Sequence, residues 1–453
     1  MRITWIQPED LVPHALATAR LDGHGASADA VERRWTAAGG AAVPPPKGAS
    51  PVEAAPELRA LAAVLLAELD AVQAADRPGE PSGLDEIAAG WSFGESSGRP
   101  AGTTLDRLHG AWLGRAVGCV LGKPVEGLPR EGIEEILRAT DSWPLSGYFT
   151  AVGLPSDVAA RRPWNRRSKA TSLAENIDGM PEDDDLNYPL MALLLLEEKG
   201  GAITPEAVAQ SWLDLLPAGR TFTAERVAYR NLLSGLVPPA TATTGNPFAE
   251  WIGAQIRTDV YGWAHPGDPA TAASLAYRDA VVSHVRNGVY GAMFAAAMGA
   301  AAVASSTVDD VLDAGIGVLP PESRIAVAVR EARELASSEA DWAKVLDVLH
   351  ERHGHLHWVH VVNNAALVTA ALVHGRGDFE ATICATVTGG WDTDSNGATV
   401  GGILGALLGA EALPERWTAP LRNRLATSIP GLDGIGFDVL AERTLALVPG
   451  KAE

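Results

Sequence analysis

Gly110, Gly114 and Gly118 recur every four residues inside the apolar run GAWLGRAVG. That spacing puts all three on one face of a helix. Each glycine costs a helix interior about 0.5–1 kcal/mol relative to alanine, so a stripe of three calls for a packing reason. The reason it suggests is a second helix approaching closely along the bare face. The chain from Thr104 onward has the same helical texture. Apolar periodicity predicts helices at 186–199, 205–215, 223–233, 270–303, 307–318, 322–336, 341–350, 361–373, 378–388 and 396–410. The alternating β-branched runs that mark strands are scarce, and no repeat of fixed period is evident. The expectation is a large all-α bundle.

The first hundred residues read differently. Helical patterns near 8–20 and 26–40 precede VPPPKGASPVEAAP, a stiff break, and PELRALAAVLLAELDAV then opens a helix with Pro56 at its first position. A Gly-, Ser- and Pro-rich stretch follows. We therefore expect an N-terminal helical extension or arm over 1–100 and a catalytic domain over 101–453. Lys+Arg total 36 against Asp+Glu 56, a net charge of -20, so no nucleic-acid partner is expected. The N-terminus lacks a signal-peptide pattern, and apolar runs such as Leu190 to Leu196 stop short of the roughly 20 residues needed to span a bilayer. Cys119 and Cys384, both in apolar runs, read as buried thiols. A cytoplasmic protein without a membrane partner is the expectation.

Two acid-led helix starts lie far apart in the sequence. In PEDDDLNYPLMALLLLEE, the acids Glu182, Asp183, Asp184 and Asp185 precede an apolar helix. One or two carboxylates there would be ordinary capping, favoured by the helix dipole; four adjacent ones repel unless a cation or solvent intervenes. In TGGWDTDSNGATVGGILGALLGA, Asp392 and Asp394 are one residue apart after a Gly-Gly turn, and Ser395 adds a neutral oxygen. Such oxygen donors suit Mg²⁺, Mn²⁺ or Ca²⁺ better than zinc, and the pair of clusters suggests one shared binuclear site. Capping remains the alternative at each.

Three segments in order, GAWLGRAVGCVLGKPVEG, EDDD and GWDTDSNGATVGGILGALLGA, resemble the motifs of the ADP-ribosylglycohydrolase family over about 105–412. The resemblance implies a large orthogonal all-α bundle, two Mg²⁺ ions with Mn²⁺ as a possible substitute, and hydrolysis of a glycosidic bond that releases ADP-ribose from a protein or small-molecule conjugate. It implies metal ligands at Glu182, Asp183, Asp184, Asp392, Asp394 and Ser395, with Asp184 and Asp392 in the catalytic machinery. Glu126, in GKPVEG, matches a mobile glutamate next to the metals. The sequence departs from the family pattern at four places. Cys119 stands where an aspartate is common, Trp391 replaces a glycine, and Glu182 and Asp185 replace threonines.

Other residues are candidates for substrate binding. His284 and Asn287, in RDAVVSHVRNGVYGAMFAA, would share a helix face. The family likeness points them at the substrate cleft, and satisfied core residues are the alternative. IRTDVYGWAHPGDP, with Gly262, reads as a loop able to cover the cleft. Asn363 and Asn364 head an apolar helix and offer amides to a ligand or to the backbone. The basic run Arg161, Arg162, Arg166, Arg167 and Lys169 could serve a pyrophosphate. His353, His355, His357 and His360 suggest zinc as a rival reading, but their spacing is not specific for a tetrahedral site. Two other functions stay open: a non-catalytic ADP-ribose-binding protein of the same fold, and a hydrolase of a different N-ribosyl metabolite.

Overall fold

Two buried helices, Thr104–Gly122 and Thr393–Leu408, run antiparallel through the centre of the protein. A Cβ added at Gly110, Gly114 or Gly118 would land on the carbonyl oxygen of Gly405, Gly401 or Gly397, and a Cβ on each of those would meet the carbonyl of its opposite number. The glycine stripe is thus one half of a seam whose other half is a matching stripe in GATVGGILG. Only bare backbone fits at this separation, and the seam gains the close dispersion contact that dense packing supplies. Its register also sets the site. Gly122 abuts Thr393, whose hydroxyl donates to the Gly122 carbonyl at 2.7 Å. The end of the first helix therefore meets the start of the second.

The computed structural model describes residues 2–73, 77–93, 104–165 and 168–450. Among these the structure is all-α, with β-pairing limited to isolated bridges. Around the central pair pack Asp184–Lys199, Arg286–Ala304 and Val361–Gly375, each buried along most of its length. Arg107, itself buried, donates to the carbonyls of Ala302 and Ser305 at 2.8 Å. It satisfies the carbonyls orphaned at the end of Arg286–Ala304 with a favourable positive charge. Trp112 packs edge-on against Trp263 with centroids 5.0 Å apart, and its indole N–H reaches the Thr444 hydroxyl at 3.0 Å.

Two expectations are corrected. The helix predicted over 270–303 is two helices, Pro269–Ala280 and Arg286–Ala304. Val285 is extended and Arg286 has φ 42°, in the left-handed region. His284 therefore lies in the connecting turn and shares no helix face with Asn287. The segment expected to be a covering loop is interior structure: Ile252–Arg257 is a 3₁₀ turn and Asp259–Trp263 a short helix, both buried. Gly262 is bare because a Cβ there would overlap the Ala296 carbonyl.

The N-terminal helices Pro8–Leu21, Gly25–Ala37 and Pro56–Gln73 pack on one another, and the N-terminal segment is tied to this body by hydrogen bonds and an ion pair. Thr18 donates to the Pro247 carbonyl at 3.0 Å, Tyr277 donates to the Ser82 carbonyl at 2.8 Å, and Arg324 pairs with Glu80 at 2.9 Å. The boundary expected near residue 100 lies outside the described residues. Arg286–Ala304 is long and apolar enough to cross a membrane, contrary to the sequence reading, but 94% of its apolar window is buried inside the fold.

Candidate active site

Both acid clusters and Glu126 open onto one cavity of about 250 Å³. Three chain segments bring them there. The Thr104–Gly122 helix ends in a 3₁₀ turn, Lys123–Val125, that delivers Glu126. The Asp184–Lys199 helix starts at the cavity with Asp183 as its N-cap, accepting from the Asp185 N–H at 3.0 Å. The Thr393–Leu408 helix starts there with Asp392, Asp394 and Ser395. Carboxylates in the first turn of both helices are favoured by the dipoles, so capping and convergence on one site hold together.

Asp183, Asp184, Asp392, Asp394, Ser395 and Glu126 all line the cavity. Glu182 does not. It points outward, paired with Arg220 at 2.7 Å and accepting from the Ser428 N–H at 2.9 Å. Asp185 turns inward instead and accepts from the Ser395 hydroxyl at 3.2 Å.

The acids form two groupings whose ligand atoms lie within 4.8 Å of one another: Glu126 with Asp392 and Asp394, and Cys119 with Asp183 and Asp185. Burial, then the Asp394 charge, pushes Glu126 and Asp392 well above the usual carboxylate range. Among the described residues, no lysine or arginine forms an ion pair with this first group, and three crowded carboxylates of this kind fit a hard divalent cation. The second group holds cations, although burial still keeps Asp185 well above the usual carboxylate range. The Lys123 ammonium contacts Asp183, and Arg115, fully buried, pairs with Asp185 at 3.1 Å. Burial holds the Cys119 thiol well above its ordinary range, so it stays neutral.

The five residues expected to bind substrate are absent from the cavity lining. Asn364 is a buried strut: its amide donates to the Trp358 and His360 carbonyls at 2.9 and 2.8 Å, and its oxygen accepts from Asn396 at 2.6 Å and from the Asp392 N–H at 3.3 Å. It thereby ties the 358–360 segment to the second acid cluster. Asn363 donates to the His357 carbonyl at 3.2 Å. Asn287 bridges Glu80 and Glu250, at 2.8 and 3.0 Å, in a buried ionic network. His284 stands one layer back, 3.9 Å from Glu225, and burial keeps it neutral. Gly262 is a helix contact. Of the histidine group, His355, His357 and His360 line a second cavity together with His14, where His357 stacks on Trp251 at 4.1 Å and His360 caps the Val361–Gly375 helix. Arg161 and Arg162 pair with Glu135 at 2.7 and 2.8 Å; Arg166 and Arg167 lie outside the described residues.

Several lining residues were not read from the sequence: Trp5, Lys123, Asn165, Phe222, Glu225 and Trp358. Asn165 donates to Glu126 at 2.6 Å, which fixes a side chain carried on a turn. Trp5, Phe222 and Trp358 give the acid-floored cavity an aromatic side. Trp5 comes from the N-terminal arm, held by its N–H to the Gly48 carbonyl at 2.6 Å and by edge-on contact with Phe248 at 5.6 Å. Trp391, at the variant position before Asp392, has φ 60° and stacks on His350 at 4.3 Å. A glycine occupies such a φ without steric cost, which accounts for the family's preference there.

Among the described residues, a helical body brings carboxylates from two helix starts to one cavity, in groupings that could hold a metal ion. Residues 100–451 match the family model for ADP-ribosylglycohydrolase, and the chain belongs to that family. It is accordingly a hydrolase of the glycohydrolase type for ADP-ribosyl-type substrates. A solved structure titled an ADP-ribosylglycohydrolase-related protein complex is similar at 22% identity and a TM-score of 0.45, over 76% of this chain and 97% of that one. No curated protein matches.

Proposed function

We propose that the protein hydrolyses the bond at the anomeric carbon of an ADP-ribosyl conjugate, releasing ADP-ribose, with Mg²⁺ as the ion and Mn²⁺ as a substitute. The acceptor is a protein or small-molecule conjugate, and the free thiols of Cys119 and Cys384 favour a cytoplasmic setting. The observation that carries this reading is the crowded trio Glu126, Asp392 and Asp394, without an ion pair to a described lysine or arginine, in a cavity also lined by Asp183, Asp184 and Ser395. A divalent ion on that trio would supply Lewis-acid polarisation of sugar hydroxyls and a water of lowered pKa.

The chain's own groups do the remaining work. Glu126 handles protons: Asn165 fixes one of its oxygens, and a carboxylate positioned in this way serves as a general acid or base. Asp392 keeps its place through its N–H bond to Asn364. The aromatic side formed by Trp5, Phe222 and Trp358 excludes water and offers planar faces to the substrate. Positioning of this kind supplies much of a hydrolase's rate advantage.

The test is a panel of ADP-ribosylated peptides and small conjugates incubated with the protein in Mg²⁺ or EDTA. Cleavage that requires Mg²⁺ and disappears in Asp392→Ala supports the reading. A panel that is neither bound nor cleaved sinks it. Binding of ADP-ribose without cleavage would favour the non-catalytic alternative.

A further inference from the structure

We propose that the Lys123 ammonium takes the place of one of the two divalent ions expected at this centre, leaving a single ion on Glu126, Asp392 and Asp394. The inference rests on the metal-centre reading above and departs from the two-ion expectation.

The two groupings of candidate ligands are chemically unequal. The first consists of three carboxylates that make no ion pair with a described lysine or arginine, the Lys123 charge acting on Glu126 only from beyond ion-pair distance. In the second, Asp183 faces Lys123 and Asp185 faces Arg115. Arg115 is locked elsewhere as well: its Nε donates to the Asp185 carbonyl at 2.8 Å, and it pairs with Asp259 at 3.0 Å. The third member, Cys119, offers a soft sulfur where Mg²⁺ requires oxygen. The second grouping therefore presents two carboxylates that already hold buried cations, Lys123 on Asp183 and Arg115, shared with Asp259, on Asp185.

Lys123 is built into this position. It follows Gly122, where the glycine seam ends at Thr393, and its side chain is only 7% exposed. The turn that delivers Glu126 to the first grouping thus delivers an ammonium to the second. For a second divalent ion to bind Asp183, the ammonium would have to leave. A buried lysine without its partner is strongly disfavoured, and the displaced group would remain beside the incoming ion. The ammonium is a compact point charge with three donors. It can hold Asp183 in place, and it cannot lower the pKa of a water as a divalent ion does.

The experiment is metal stoichiometry. Full-length protein stripped with EDTA is titrated with Mn²⁺, and bound ion is counted by calorimetry and by electron paramagnetic resonance. The wild type should saturate at one equivalent, without the spin-coupled signal of a close Mn²⁺ pair. Lys123→Met should bind a second equivalent and show the coupled signal. Two tight equivalents in the wild type overturn the proposal while leaving the metal-centre reading intact. A single equivalent in a folded Lys123→Met overturns the role given to Lys123. No bound Mn²⁺ in the wild type sinks both readings. If Lys123→Met does not fold, the wild-type count decides, with Lys123→Gln as the second variant.

Discussion

Gly114 and Gly401 face each other across the central seam so closely that a methyl on either would overlap the other's carbonyl oxygen. The obstructing atoms are backbone in two buried helices, so neither side can yield by changing a rotamer. Gly401→Ala should cost about 1–3 kcal/mol of stability, the usual range for overpacking. Chemical denaturation measures it. Divalent-ion affinity should fall too, because the seam's register fixes Glu126 against Asp392 and Asp394. Unchanged stability would contradict the seam as described.

Glu126→Gln should lower kcat by about 10²–10⁴-fold, the usual share of general acid–base catalysis, with a much smaller change in KM. In metal-free protein the same substitution removes one of three crowded carboxylates, so the melting temperature should hold or rise. A variant that keeps wild-type kcat would remove Glu126 from the chemistry.

Glu225 should give stability a pH dependence. Its carboxyl is buried and shares one guanidinium, that of Arg257, with Asp279, at 2.7 and 2.5 Å. Burial pushes its pKa up to about 7 despite Arg257. A carboxyl raised on folding stabilises fully below its unfolded pKa, and that contribution is lost as pH rises through the folded value. Between about pH 4.5 and 7 the wild-type melting temperature should fall, and Glu225→Gln should flatten that fall. Parallel profiles would refute this origin.

Trp391 combines a left-handed backbone with a buried aromatic stack. Both Trp391→Ala and Trp391→Gly lose the stack on His350, but only glycine relieves the backbone, which is worth about 1–2 kcal/mol. Trp391→Gly should therefore be the more stable of the two, and both should be less stable than wild type. Equal unfolding midpoints for the two variants would rule out backbone strain at this position.

The central architecture was legible where the signal is local. Glycines at four-residue spacing announced a close helix contact, and acids at two helix starts announced the site, because periodicity and helix starts are written in neighbouring residues. What stayed hidden depends on long-range pairing. Lys123 stood in plain view inside GKPVEG, yet its contact with Asp183 exists only after folding. Glu182, expected among the metal ligands, turns away because Arg220 and Ser428, distant in sequence, claim it. His284 and Asn287 were read onto one helix because the apolar pattern runs on through the break. The break rests on a left-handed Arg286, a residue type that gives no sequence warning of it.

Trp5 and Asp392 line the same cavity although 387 positions separate them. During synthesis the indole emerges long before Asp392. The cavity has both its aromatic side and its acid floor only when the segment bearing Trp5 and the Thr393–Leu408 helix are both in place. The cavity is thus a product of the whole chain's closure, and ligand binding should be among the last properties a refolding molecule recovers, after its helices have formed.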